Sequence, residues 1–168
     1  LRVLEKKMSN NFVVSLALAC FAWIGCFANV QPSSGDECQN SLYAYIGGNE
    51  FDTTNATTSW PYPDEKQCPG TYLDWGKEGN PDVWFVFTTS KSGSYNFTTC
   101  DSNSYDTSMV LYEDSSDNQV ACNGDSSGQS GCQGYYSAID YDLEAGKEYL
   151  IRIGGFYGDY GPGTLTIS

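Results

Sequence analysis

Carboxylates dominate the reactive side chains of this sequence: Asp and Glu fill 21 positions, Lys and Arg 8, and His none. The missing imidazole removes the Ser-His-Asp and Cys-His arrangements, the two-histidine zinc protease helix and most metal hydrolases. Gly124-Asp-Ser-Ser-Gly128 looks superficially like the loop around a serine protease nucleophile. Without a general base, Ser126 and Ser127 keep the reactivity of ordinary alcohols, and a polar turn between Cys122 and Cys132 is the expectation. A glycosidase needs two placed carboxylates. Nothing in the sequence selects one pair, and a small domain without an evident cleft-forming insertion is a poor host for such a site. No catalytic residue is assigned, and the chain is read as a non-enzyme.

Hard cations are a better use for these acids, because calcium takes oxygen ligands from Asp, Glu, Asn and backbone carbonyls. Asp82 and Asp106 each precede an expected strand, and Asn123 and Asp125 follow a third. If those strand ends converge, the four make one oxygen-rich calcium site; Asp36 and Glu37 are a second, weaker pair. The spacing matches no recognised calcium loop. The alternative, that Asp and Asn cap turns through their own backbone, stays open and is favoured.

Aromatic side chains outside the expected strands are the other chemical resource. Trp60 and Tyr62 sit among prolines, Tyr72 and Trp75 follow in the same long loop, and Phe156, Tyr157 and Tyr160 crowd a glycine-rich turn. Loop aromatics on a rigid scaffold stack on sugar rings or clamp extended peptides. Trp60, Tyr62, Trp75, Tyr157 and Tyr160 are the candidate ligand contacts; packing under their own loops is the competing use. The stretch Gly154 to Gly163 is no phosphate loop, because it lies between two strands with no helix N-terminus after it.

The net charge of −13 argues against nucleic acid and anionic membrane surfaces as partners. Residues 1–28 read as an export signal: Phe12 to Phe27 is apolar, and Cys26-Phe-Ala28 offers small residues for cleavage after Ala28. Met8 is a plausible start, with residues 1–7 upstream of it. An uncleaved membrane anchor is the alternative. Cleavage removes Cys20 and Cys26 and leaves Cys38, Cys68, Cys100, Cys122 and Cys132 in an oxidising compartment. The number is odd, so one thiol is free or pairs outside the chain. Cys38 with Cys68, and Cys122 with Cys132, each flank a polar loop and are the expected pairs. The spacings resemble no zinc pattern. Asn55-Ala-Thr and Asn96-Phe-Thr are glycosylation acceptors in a eukaryotic host.

The elements that must position these residues are strands. Residues 29–37 read as a linker and residues 38–168 as the domain. Leu42 to Ile46, Glu50 to Thr54, Ser94 to Cys100, Thr107 to Tyr112, Gln119 to Cys122 and Ser137 to Leu143 are short strand candidates. Asp82-Val-Trp-Phe-Val-Phe-Thr-Thr89 is near-continuously apolar, as in a central strand buried on both faces. Residues 55–81 form a long loop in which four prolines block pairing. Tyr149 to Ile153 and Thr164 to Ile167 alternate across the glycine turn and read as a terminal hairpin. No stretch holds a 3.6-residue apolar period. The expectation is all-β: a jelly-roll-like antiparallel β-sandwich of about eight strands.

In order along the chain come Asp82-Val-Trp-Phe-Val-Phe87, Thr99-Cys100, Asp106-Thr107 with Met109, Leu111 and Tyr112, and Cys122-Asn123 with Asp125. Ala145-Gly146, Tyr149-Leu-Ile-Arg-Ile-Gly-Gly155 and Gly163-Thr-Leu-Thr-Ile167 complete the series. This series resembles the bacterial pre-peptidase C-terminal domain family over about residues 36–168. The family pattern after the cysteine is usually Asn-Asp-Asp. Gly124 replaces the middle acid here, which weakens a metal site at that point. The resemblance implies a secreted jelly-roll-like sandwich, usually attached to a larger protein such as a peptidase. It also implies a non-catalytic accessory role, with some relatives binding matrix proteins or polysaccharides and some binding calcium.

The expected function is a secreted, monomeric, non-catalytic module that binds an extracellular glycan or protein, with calcium as a candidate ion. The alternative is a structural or maturation domain of a secreted peptidase whose catalytic part is absent here.

Overall fold

Alternating apolar side chains build two sheets in the computed structural model, which describes residues 35–75, 79–101, 103–126 and 132–168. The expected leader and most of the expected linker lie outside the described residues. The strands are β1 (Leu42–Tyr43), β2 (Gly47–Asp52), β3 (Val83–Thr88), β4 (Gly93–Thr98), β5 (Thr107–Glu113), β6 (Gln119–Asn123), β7 (Ala138–Leu143), β8 (Glu148–Gly155) and β9 (Pro162–Ile167). One sheet has the order β1-β3-β8-β5-β6 and the other β2-β9-β4-β7. All pairings are antiparallel except the two-residue β1, which runs parallel to β3. The architecture is the β-sandwich that the alternation predicts. Among the described residues, no helix is long and apolar enough to cross a membrane.

The last two strands are not a hairpin. β8 pairs with β3 and β5, whereas β9 pairs with β2 and β4 in the opposite sheet. The glycine-rich turn therefore carries the chain from one layer to the other. Both strands alternate correctly for this role, since Ile151 and Ile153 face Leu165 and Ile167 across a shared core. Gly163 lies against the Phe51 ring, where a Cβ would collide with its edge.

The two sheets differ in what covers their outer faces. The core between them holds Phe51, Phe85, Phe97, Leu111, Ile151 and Leu165 among others. A second apolar cluster lies outside the five-stranded sheet, where Leu73 and Trp75 of the long loop cover Trp84, Val110, Tyr112 and Leu150. This double cover explains why β3, β5 and β8 are buried almost without interruption. The prolines of the loop suit it to lie flat on a sheet without pairing to it.

Beneath that loop lies a buried ion pair. Arg152 alternates with Ile151 and Ile153 and so points outward, into the second cluster. It is 1% exposed, and its Nη2 donates to Asp82 Oδ2 at 2.9 Å and to the Ser59 carbonyl at 2.6 Å. Its Nη1 donates to the Pro61 carbonyl at 2.7 Å. The guanidinium lies between the rings of Trp75 and Trp84, 4.8 and 4.9 Å from their centroids. Such cation–π contacts are strongest where water is excluded. Asp82 also accepts from the Ser59 amide and hydroxyl, and Trp84 Nε1 donates to the same hydroxyl at 2.9 Å.

The disulfides differ from the expected pairs. Cys68 joins Cys122, with Cα atoms 5.8 Å apart, and Cys100 joins Cys132 at 4.9 Å. Among the described residues Cys38 is the free thiol, half-buried in the second cluster, and burial raises its pKa. Closeness in sequence misleads here, because the long loop folds back over β6 and brings Cys68 to Cys122. Cys100, just beyond β4, meets Cys132 of the β6–β7 loop. Both bridges span long chain intervals and so restrict the unfolded ensemble more than short loops would.

Asp82→Ala leaves the Arg152 guanidinium buried without its counter-charge. Urea unfolding is expected to show a loss of about 3–5 kcal/mol, with Asp140→Ala on the outer face of the four-stranded sheet unchanged within about 0.5 kcal/mol. Peptide mapping of the non-reduced protein is expected to yield the 68–122 and 100–132 bridges and alkylation at Cys38 after denaturation.

Candidate functional site

One end of the five-stranded sheet gathers four of the nine expected contact and calcium residues, Asp106, Asn123, Asp125 and Tyr157. The register pairs Thr107 with Gly155 and Met109 with Asn123, so the start of β5 and the ends of β6 and β8 lie side by side. Asp106, just before β5, Asp125, just after β6, and Phe156, just after β8, therefore meet. The Phe156 amide donates to the Asp106 carbonyl at 2.9 Å.

Tyr72 arrives from the long loop and is pinned on both sides. Four residues before it, Cys68 is bridged to β6. One residue after it, the buried Leu73 carbonyl accepts from the Ser108 hydroxyl at 2.6 Å. Gly124 lies against the carbonyls of Thr71 and Tyr72, where any Cβ would strike backbone. The loop can approach β6 this closely only because that position has no side chain. Tyr135 comes from the β6–β7 loop, which Cys132 anchors to Cys100.

These side chains line two adjoining hollows. The smaller, about 240 Å³, is lined by Tyr72, Asp106, Asp125, Tyr135 and Phe156. The larger, about 490 Å³, shares Tyr72 and Phe156 and adds Glu65, Pro69, Gly70, Asp74 and Tyr157 among its walls. Tyr72 and Tyr135 are each 67% exposed and Tyr157 is 63% exposed. Large rings this open to solvent, yet held on a tied-down backbone, are available for contact. Tyr72, Asp74 and Tyr157 also adopt left-handed backbone conformations, with φ of 50°, 36° and 56°. Such angles cost non-glycine residues on the order of 1–3 kcal/mol each and concentrate at ligand sites.

Electrostatics single out the smaller hollow. No hydrogen bond or ion pair to the carboxylate of Asp106 or Asp125 is found among the described residues. Burial raises the pKa of Asp106 to about 6, helped by repulsion from Asp125 and Asp159. Burial also pushes Asp125 above the usual carboxylate range.

Of the four expected calcium ligands, the structure thus joins Asp106 and Asp125. Asp82 is fully buried and committed to Arg152 and Ser59. Asn123 lies at the same strand end, but its side chain donates to the Asp125 carbonyl at 3.0 Å and accepts from the Ala138 amide at 2.9 Å. Among the described residues, no group of three or more His, Cys, Asp or Glu side chains is placed to hold a metal ion. Asp36, of the weaker pair, is buried and accepts from the amide and hydroxyl of Thr57.

The expected aromatic contacts divide similarly. Trp75 is fully buried against Arg152 and is no surface contact, because its ring serves the cation beneath the loop. Tyr62 packs at the edge of the second cluster and against Trp60, ring centroids 4.8 Å apart. Trp60 itself is 77% exposed, away from the two hollows. Tyr157 lines the larger hollow; Tyr160 is exposed but lines neither. Tyr135 is the residue that sequence reasoning missed. A single tyrosine in a polar loop carries no periodic signal, although Cys132, three residues before it, marks a fixed point. Ser126 is buried, and its hydroxyl donates to the Gln133 carbonyl at 2.9 Å, which suits the polar turn expected there.

No family model matches the chain, and a search of curated proteins yields no match either. Several solved structures are similar. The pre-peptidase C-terminal domain of a collagenase from Bacillus anthracis is 10% identical, covering 76% of this chain and 94% of that one, with a TM-score of 0.47. A family 35 carbohydrate-binding module from Paenibacillus barcinonensis is 13% identical over 73% of this chain and 92% of that one, TM-score 0.35. The K3 cleaved adhesin domain of Lys-gingipain from Porphyromonas gingivalis is 14% identical over 72% and 90%, TM-score 0.37. The class defined by this chain's own coordinates is a β-sandwich module, and its function is read from its own side chains.

The raised pKa of Asp106 has a stability consequence. A carboxyl that holds its proton more tightly when folded favours the native state on acidification from about 6 towards the unfolded value near 4. That contribution is lost as pH rises through about 6. Asp106→Asn is therefore expected to raise Tm at pH 7.5 and to leave it nearly unchanged at pH 4. In the unsubstituted protein, NMR titration of the Asp106 carboxyl is expected near pH 6 and to move down in Asp125→Asn.

Proposed function

We propose that this chain is a secreted, non-catalytic module that binds an extracellular polymer in the groove formed by the two hollows. One observation carries this reading: Tyr72, Phe156, Tyr157 and Tyr135 meet at one end of a sandwich whose loops are tied by two disulfides. Aromatic rings on a rigid frame give a polymer large contact area at low entropic cost, which is how binding surfaces reach useful affinity. The two bridges suit an oxidising compartment, as export would provide. The absence of His from the whole sequence supports a binding role, since a nucleophile here would lack its usual base.

Retardation in native gels containing soluble polysaccharides, together with pull-down on insoluble polysaccharides and collagen, tests the reading. Tyr72→Ala and Tyr157→Ala are each expected to weaken binding to the retained polymer about tenfold or more, which corresponds to about 1.4 kcal/mol or above. Tyr43→Ala, at a tyrosine more exposed than either and on the β1 edge, is expected to bind as the unsubstituted protein does. Loss of binding in Trp60→Ala with normal binding in both groove variants would place the site elsewhere and overturn the assignment.

A further inference from the structure

We propose that the smaller hollow receives a basic side chain, Lys or Arg, of an extracellular protein. The inference deepens the polymer-binding reading and rests on it. Three of the five described lining residues, Tyr72, Tyr135 and Phe156, are aromatic, and the space of about 240 Å³ is enough for one long side chain. Asp106 and Asp125 line the same space, and no Lys or Arg is among its described walls. Two acids brought together without a cation repel each other, and an organic cation placed between them relieves that cost. Ring faces attract the same ligand through their quadrupoles.

The alternative cationic ligand is an amino sugar, and the lining favours the side chain. A sugar ring carries polar groups around most of its rim, and each must find a partner when buried. The described walls offer two carboxylates and two phenols, with no amide or cationic donor. A Lys or Arg side chain has an apolar stem and a single charged tip, which matches apolar walls around an acidic patch. The chain holds its own Arg152 by the same means, between two aromatic rings with a carboxylate at its tip. The larger hollow, open through the shared Tyr72 and Phe156 walls, would take the neighbouring peptide.

Fluorescence polarisation with labelled Gly/Ser hexapeptides carrying one Arg, one Lys or one norleucine tests this, with a chitosan tetramer and calcium chloride as competitors. The Arg and Lys peptides are expected to bind at least tenfold tighter than the norleucine peptide. Asp106→Asn and Asp125→Asn are each expected to remove most of that preference. Asp140→Asn, which changes net charge equally on the outer face of the four-stranded sheet, is expected to stay within twofold. Affinity is expected to fall between pH 7.5 and 5, as Asp106 takes a proton; Asp125 and Asp159 are the charged groups that bear on it. Equal weakening in Asp140→Asn would reduce the effect to bulk charge and overturn the proposal. Displacement by the chitosan tetramer or by calcium at lower concentration than by unlabelled Arg peptide would overturn it in favour of that occupant. If Tyr72→Ala weakens polymer binding but the norleucine peptide binds as well as the Arg peptide, this inference fails and the groove reading stands. If no probe or polymer depends on Tyr72, both fall.

Discussion

The Arg152–Asp82 pair is the constraint on which this molecule's arrangement depends. A guanidinium and a carboxylate are expensive to bury, and removing either alone is worse than removing both. Here the cost is offset by five polar contacts and two aromatic faces, all drawn from the long loop and the strands below it. Among the described residues Trp75 Nε1 and Arg152 Nε have no hydrogen-bond partner, so the stack is held by π-faces and the two terminal nitrogens. The pair converts a proline-rich loop into a lid with one seat. Once the lid is seated, Leu73 meets Ser108 and Tyr72 stands at the rim of the groove.

That lid makes the sandwich lopsided. The five-stranded sheet is covered on both sides, whereas the four-stranded sheet shows solvent a polar outer face with Glu50, Asp52, Asn96 and Asp140. The two hollows accordingly lie where the covered sheet ends. Strand register brings Asp106, Asp125 and Phe156 together there, and the disulfides add Tyr72 and Tyr135. Burial and the mutual repulsion of the acids at this end make Asp106 hold its proton more tightly.

The strands were legible in the sequence because burial leaves a period. Alternation located β7, β8 and β9 to within a residue or two, and the apolar run at Val83–Thr88 announced a strand covered on both faces. Pairing was not legible: β8 and β9 look like a hairpin because they are neighbours in sequence, yet they belong to different sheets. The cysteine partners failed for a related reason, since a folded-back loop erases sequence proximity. Asp106 and Asp125 were named from their positions at strand ends, and they do meet. Asp82 was named by the same rule, but its carboxylate turns inward to a cation that the alternation of β8 aims outward. For Trp75 both uses, ligand contact and packing under its own loop, stay open in the sequence, because nothing in a polar loop marks the side that faces a sheet. Phe156 and Tyr72 were recognisable only as loop aromatics, and Tyr135 not at all.

The Cys68–Cys122 bridge stitches the aromatic rim to β6. In a reducing milieu that stitch opens, and the rim is then held by the Leu73 anchor and the seated lid alone. The groove is thereby completed by oxidation: the chain surrounded by thiols presents a looser mouth than the same chain with the Cys68–Cys122 bridge closed.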